Sequence, residues 1–248
     1  HMIKLYKKIS GFFLKISSRI IPSLAQREVQ KFAENIVKDI SFNTKLSILD
    51  AGAGDKRFAY YFDKFKNYDT CDLENDSFHK KIKHTFYCDL QNIPVDNEKY
   101  DVVINLQVLE HVKYPDKCIK ELGRVLKKNG KIYISAPSMY PLHFAPYNYF
   151  NFHPSAFKLM LEKNNLKILN ITEQGGAFLV IGVILSRLPF SVLKRQKNQF
   201  SRFLFLLFFL LTIPIFHFIF PLIFKTLDRL FKTEGITIGY NIIAKKLS

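Results

Sequence analysis

Asp50, Gly52 and Gly54 stand in the run Ile48-Leu49-Asp50-Ala51-Gly52-Ala53-Gly54-Asp55, a short apolar strand that ends in a carboxylate and a two-glycine turn. Glycines at such a turn let the backbone approach a ligand closely. A helix starting in Lys56–Phe62 would add free N–H groups at its first turn. Tyr68-Asp69-Thr70-Cys71-Asp72 reads as a second short strand. It puts Asp72 roughly 20 residues beyond the turn, where a carboxylate can bind ribose hydroxyls. These types and spacings describe a nucleoside site. A second group suits proton transfer: His143 and His153, with Tyr140 and Tyr147, in the aromatic and proline-rich stretch 136–154. Histidine titrates near neutral pH and can take a proton from a hydroxyl, with a tyrosine to orient it. Each histidine equally fits a structural hydrogen bond or a helix N-terminal contact.

The elements that must position these residues follow in order. After the strands at 48–51 and 68–72 come Tyr87-Cys88-Asp89-Leu90, then the apolar run from Tyr100 that ends in Asn105-Leu106-Gln107-Val108-Leu109-Glu110-His111-Val112. Glu121–Ile134 reads as a helix, a turn at Gly130 and a strand, Leu166–Ile171 as a sixth strand, and Gly235–Ala244 as the last. Strands alternating with helices predict an α/β fold with a mostly parallel sheet. The candidate ligand residues fall at the carboxyl ends of the strands, where open sheets of this kind bind ligands. A dinucleotide reading fails at Arg57, which occupies the third small-residue position of Gly-x-Gly-x-x-Gly.

In order and spacing these motifs resemble the class I S-adenosylmethionine-dependent methyltransferases, over about 45–176 and again at the C-terminus. The resemblance implies a Rossmann-like sheet of seven strands, mostly parallel with an antiparallel last strand, and S-adenosylmethionine as cofactor. It assigns Asp50, Gly52 and Gly54 to the methionine part, Asp72 to the ribose, and Asp89 with Leu90 to the adenine. Asn105 or Gln107 would close the site beside the sulfonium. Asp89 reads equally as a loop-capping aspartate, and Asp50 as a turn carboxylate. Asn105–His111 also resembles the Glu-x-x-Glu-His run of quinone O-methyltransferases, whose acidic residues can hold a divalent metal. Gln107 replaces the first acid here, so Glu110 and His111 read as the start of the next element and no metal is expected. The absence of an Asn/Asp-Pro-Pro-aromatic motif after the fourth strand counts against methylation of nucleic-acid amines.

The formal net charge of +16 divides unevenly: +5 in residues 1–44, +2 in 45–135 and +9 in 136–248. The cofactor region is nearly neutral, and the basic excess lies in the flanks that also hold the longest apolar runs. Ile3–Ile21 interleaves Lys4, Lys7, Lys8, Lys15 and Arg19 with apolar residues at three- and four-residue steps. Such a basic amphipathic helix lies on anionic membrane or packs on the domain. Gln26–Ile40 resembles the helix that covers the cofactor in many of these enzymes. Between the last two strands lie 58 residues, 177–234, in which Lys194–Arg202 is basic and Phe203–Phe224 contains no charge.

Phe203–Phe224 is long enough to cross a bilayer, but Pro214 and Pro221 break it. A spanning pair would also carry the basic stretch to the far side. The expected arrangement is an apolar helical insertion of broken helices in one leaflet. A membrane-spanning hairpin and an apolar dimerisation surface giving a homodimer are the alternatives. Three segments follow: N-terminal amphipathic and cofactor-covering helices (1–44), a methyltransferase domain (45–176 with 235–248), and a membrane-associating insertion (177–234). Cys71, Cys88 and Cys118 have neither disulfide-framework nor zinc spacing, which fits a reducing compartment.

The reading is a methyltransferase at the cytoplasmic face of the membrane, bound through 3–21 and 177–232. It would methylate an oxygen of an apolar or lipid-linked acceptor such as a glycolipid, a polyprenol-linked sugar or a quinone. A nucleic-acid methyltransferase, a membrane-attached non-catalytic module and a soluble small-molecule enzyme are the rivals. Nucleic acid is disfavoured because its binding wants basic residues interleaved with exposed aromatics, not an uncharged run.

Overall fold

The computed structural model describes residues 24–74, 82–195 and 219–248, together with positions 198, 201, 204, 205, 207, 208, 212 and 215. The basic segment expected at 3–21 and most of the uncharged run 203–224 lie outside the described residues. Residues 29–174 and 239–248 form one compact unit, and Gly175–Ile238 belongs to a second.

The first unit is built on a seven-stranded sheet in the order β3-β2-β1-β4-β5-β7-β6. The strands are β1 (Ser47–Ala51), β2 (Asn67–Asp72), β3 (Phe86–Tyr87), β4 (Tyr100–Leu106), β5 (Leu126–Pro137), β6 (Leu166–Glu173) and β7 (Gly239–Lys246). β1 to β5 run parallel, and β7 lies antiparallel between β5 and β6. The chain winds outward from β1 in one direction and from β4 in the other. Their junction is the switch point at which open sheets leave a crevice for ligand.

Alternating side chains on the central strands feed two apolar layers, as a sheet covered on both faces requires. Leu49, Val103, Ile132 and Ile134 face one layer, packed with α2 (Pro115–Val125) and α3 (Pro154–Lys163). Ile48, Val102, Ile104 and Tyr133 face the other, where Val29, Phe32, Ala33, Ile36 and Ile40 of α1 (Leu24–Ile40) pack at helical spacing. Lys131 Nζ donates to Asp39 Oδ2 at 2.9 Å, and the Tyr133 hydroxyl donates to the same carboxylate, tying the end of α1 to β5.

Two expectations are corrected in this unit. No α-helix follows the glycine turn; a one-turn 3₁₀ helix, Ala59–Phe62, stands there. Lys56 has φ +56°, outside the helical region, and Phe62 is fully buried with its ring stacked on Tyr68 at 5.3 Å. The last strand starts at Gly239 instead of Gly235, which sits in a left-handed turn at φ +74°.

In the second unit, α4 (Ala177–Arg195) packs against α5 (Phe220–Leu230). Contact is close at Gly182, where an added Cβ would stand 3.0 Å from Phe224 Cβ. The first turn of α4 is capped from a distance. Gly176 N and Leu179 N each donate to the Asp228 carboxylate at 3.0 Å, and Ala177 N donates to Thr233 Oγ1 at 2.8 Å. Pro221 was expected to break a helix; it lies in the first turn of α5, where a proline costs no hydrogen bond. Among the described residues no helix is long and apolar enough to cross a membrane.

Candidate active site

The glycine turn is held by backbone. Gly52 N and Ala53 N both donate to Cys71 O, at 2.9 and 3.1 Å, which fastens the end of β1 to β2. Gly52 has φ +82°, and a Cβ there would lie 2.6 Å from both methyl carbons of Val108. Glycine is therefore required twice at this position, for its backbone angle and for the approach of the segment after β4. Gly54 N donates to Asp72 Oδ2 at 2.6 Å, and Leu73 N donates to Oδ1 at 2.7 Å. Asp72 is thus oriented by main chain and keeps lone pairs for a ligand.

Asp50 is buried beneath this turn and accepts a hydrogen bond from the Tyr68 hydroxyl at 2.6 Å. Burial raises its carboxyl to about 6; Tyr68 opposes the shift, the charge of Asp72 adds to it, and Lys56 offsets it further. Asn105 is fully buried at the end of β4, and its Nδ2 donates to Ala51 O at 2.8 Å. Its Oδ1 has no hydrogen-bond partner among the described residues. Gln107, at φ +58°, donates from Nε2 to Ser135 Oγ at 3.0 Å. Both amides are thus held at the carboxyl end of β4 or just beyond it.

Asp89 is exposed and accepts from Gln91 N at 2.9 Å and from Gln91 Nε2, the loop-capping arrangement; Leu90 beside it is buried. A clamp that sequence reasoning missed holds this loop. Arg124 donates to Glu121 through Nε and Nη2, and to the carbonyls of Ile93 and Val95 at 2.7 and 2.8 Å. Glu121 accepts Ile93 N at 3.0 Å.

The acceptor side comes from the segments that follow β4 and β5. Glu110 and His111 lie in a one-turn 3₁₀ helix, Leu109–His111. The 138–153 loop folds back over them, with Tyr149 N donating to Glu110 O at 2.8 Å. That fold brings His143 Nε2 to 3.8 Å from Glu110 Oε1, while His111 Nε2 lies at 3.7 Å from the same atom. Tyr140 sets its ring edge-on to His143 at 5.1 Å. His153 is not brought to this cluster. It is exposed, sits at the residue before α3, and makes no side-chain cap there. Of the two histidines that the sequence could not separate, His143 is the one that lies beside Glu110. The rim of the same loop exposes Leu142, Phe144, Tyr147, Tyr149 and Phe150.

Two carboxylates beside a turn without obstructing side chains suit a ligand that carries a diol and positive charge. S-adenosylmethionine has both, and its cation would relieve the repulsion between Asp50 and Asp72. The unpartnered Asn105 Oδ1 leaves one more acceptor on the floor. The residues present fit this cofactor.

Comparison with known proteins agrees. Residues 49–134 match the family described as methyltransferase domain. An uncharacterised protein of Methanocaldococcus jannaschii is 27% identical over 139 residues, which are 52% of this chain and 60% of that protein. A ubiquinone biosynthesis O-methyltransferase of Pelagibacter ubique is 27% identical over 126 residues, 43% of this chain and 51% of that one. The chain thus spans between half and three fifths of the curated relatives' length. Among solved structures, a SAM-dependent methyltransferase from Archaeoglobus fulgidus superposes with a TM-score of 0.55 at 16% identity, covering 88% of this chain and 94% of that one. The sheet order and the site define a Rossmann-like methyltransferase fold. Residues 49–134 thus carry the methyltransferase domain of that family, on a sheet with the Rossmann-like methyltransferase order.

Proposed function

We propose that this protein methylates an oxygen of an apolar or lipid-linked acceptor at a membrane surface. The observation that carries the reading is the contrast across the site. A polar, backbone-fixed cofactor floor faces an acceptor loop whose exposed side chains are almost all aromatic or aliphatic. The ubiquinone biosynthesis relative, named as an O-methyltransferase, supports oxygen over nitrogen or carbon. Asp50, Gly52, Gly54, Asp72, Asp89 and Leu90 are assigned to the cofactor, with Asn105 and Gln107 as the floor beside its sulfur.

S-adenosylmethionine supplies an electrophilic methyl group on a sulfonium, which becomes a neutral thioether as the methyl leaves. Asp72 takes the ribose hydroxyls in an orientation set by Gly54 N and Leu73 N. Asp50 supplies negative charge beneath the glycine turn. The aromatic rim excludes water, so that fixed groups meet the developing change of charge. In-line placement of acceptor oxygen and methyl supplies much of the rate. The acceptor must also lose a proton, and the lone pairs of Glu110, His111 and His143 are the groups placed to promote this.

Membrane attachment is assigned to 3–21 and 177–232, at the cytoplasmic face. The exposed Ile181, Ile184, Leu188, Leu222, Ile223 and Leu230 of the second unit support it, as does the concentration of basic charge in the flanks. Flotation with liposomes of rising anionic lipid content, followed by transfer of labelled methyl into lipid extract, tests both halves. The reading expects flotation that grows with anionic lipid and label in the apolar fraction. A protein that stays at the bottom as a dimer would instead assign the apolar surface to self-association.

A further inference from the structure

Tyr114 is the one aromatic ring among the described residues that holds two cations. Lys117 Nζ stands 4.9 Å from its centroid and Lys113 Nζ 5.6 Å. The other rings approached by lysine, Phe65 and Tyr100, are buried, whereas Tyr114 is exposed. Lys99, over Tyr100, also faces Asp69 at 3.6 Å, and Lys127, Lys131, Lys163 and Lys246 each face a carboxylate. Lys113 and Lys117 face none among the described residues. Two like charges drawn to one ring repel each other, and each gives up side-chain freedom to stay there. An anion between them would offset both costs.

The pair also borders the acceptor side. Lys113 lies two residues past His111, whose Nδ1 is 2.7 Å from Tyr147 O. Residues 138–153 contain no Asp, Glu, Lys or Arg. Between Asn105 and Lys120 the carboxylates are Glu110, which is fully buried, and Asp116, which accepts Lys163 Nζ at 2.8 Å. The acceptor side is thus apolar along its loop and positive along the segment that leads into α2.

We propose that Lys113 and Lys117 bind the phosphate of an anionic acceptor, in which a phosphate ester and the hydroxyl to be methylated share one polar head on an apolar chain. This deepens the O-methylation reading and rests on it. The chain lies along the exposed Leu142, Phe144 and Tyr147 of the loop, and the phosphate meets the two ammonium groups. Lysines act on phosphate as point charges and do not demand one orientation, so the chain and the charge pair together place the head. The phosphate itself does not react: no bond to phosphorus forms or breaks. A phosphate-linked sugar or alcohol gains this contact, and a neutral quinone or glycolipid does not.

The test uses the full chain loaded with S-adenosylhomocysteine, with calorimetric binding of octyl phosphate beside uncharged octyl glucoside, both kept below micelle formation. Octyl chains that stick elsewhere on the protein do so for both probes and cancel in the comparison. Octyl phosphate is expected to bind more tightly by more than about ten-fold, the scale of two charge-assisted hydrogen bonds. The gap should close in the double variant Lys113→Ala, Lys117→Ala, and narrow as salt rises. Lys64→Ala, which takes an exposed lysine from the ring of Phe65, should leave the gap unchanged. Affinity of the double variant for S-adenosylhomocysteine within a few-fold of wild type reports that it is folded. Equal binding of the two probes, or a preference that survives the double variant, overturns the phosphate site and leaves the apolar-acceptor reading standing. A preference seen only with the probe carried in vesicles assigns the lysines to a charged bilayer surface and likewise overturns the site. Failure of both probes to bind sinks the apolar-acceptor reading and the phosphate site with it.

Discussion

The cofactor half and the acceptor half of the site are made of different materials. On the cofactor side the functional groups are set by main chain: Cys71 O holds the glycine turn, and Gly54 N and Leu73 N hold Asp72. On the acceptor side they are set by side chains arriving from a loop, with His143 reaching Glu110 across 33 residues of sequence. A backbone-built half tolerates variation in its side chains but not in its glycines. A loop-built half can change its side chains, and with them the acceptor, while the sheet stays as it is. Methyltransferases can in this way share one cofactor floor and differ in what they methylate.

The largest expected effect comes from Gly52→Ala. The added Cβ meets Val108 at 2.6 Å on a backbone held at φ +82°. Left-handed strain and overpacking together should cost about 2–5 kcal/mol, read as a drop in the unfolding midpoint and loss of cofactor binding. Adding Val108→Ala should recover the steric part and leave the strain. If Gly52→Ala is as stable as wild type, the turn is not held as tightly as the comparison requires.

Asp50→Asn should move stability the other way. The Asp50 carboxyl titrates at about 6 in the folded protein, against about 3.9 in an unfolded chain. The fold therefore binds this proton more tightly than the unfolded state does. Above pH 6 the charged form costs up to about 3 kcal/mol, and the cost vanishes as pH falls below the unfolded value. Asp50→Asn should be more stable than wild type at pH 8, with the gap closing through pH 6 towards pH 4. Its affinity for the cationic cofactor should fall. A gap independent of pH would show that Asp50 carries no buried charge.

Asp72→Ala should weaken cofactor binding by about 1–3 kcal/mol, the range for losing a hydrogen bond to a carboxylate. Calorimetry with S-adenosylmethionine, wild type beside variant, makes this the direct test of the cofactor half. An unchanged affinity would mean that Asp72 does not hold the ribose.

The two halves also differed in how far they could be read from sequence. Ile48–Gly54, Asp72 and the succession of strands along the chain were legible because the glycine turn, the strand periodicity and the carboxylate spacing are local patterns. The Glu121–Arg124 clamp, the Asp228 cap on α4 and the meeting of His143 with Glu110 were not. Each joins positions far apart in the chain, and nothing in local periodicity marks such a pair. The helix expected after Gly54 failed for a packing reason, since burying Phe62 against Tyr68 outweighs helical continuation past Lys56. His143 and His153 looked alike because they share one loop and similar neighbours. What separates them is the start of α3: Pro154 in its first turn leaves His153 outside, facing solvent.

That separation yields the smallest expected effect and the sharpest control. His153 is exposed, and its backbone carbonyl, not its ring, serves α3 by accepting Ala156 N at 3.0 Å. His153→Ala keeps that carbonyl and removes only a solvated ring. Stability should change by no more than about 0.5 kcal/mol, and methyl transfer should stay within about two-fold of wild type. His143→Ala, ten residues earlier in the same loop, should abolish most transfer while preserving cofactor binding. If the two alanines instead act alike on transfer, loop order in general matters more than the Glu110 cluster. The acceptor half would then be a shaped wall rather than a set of fixed groups.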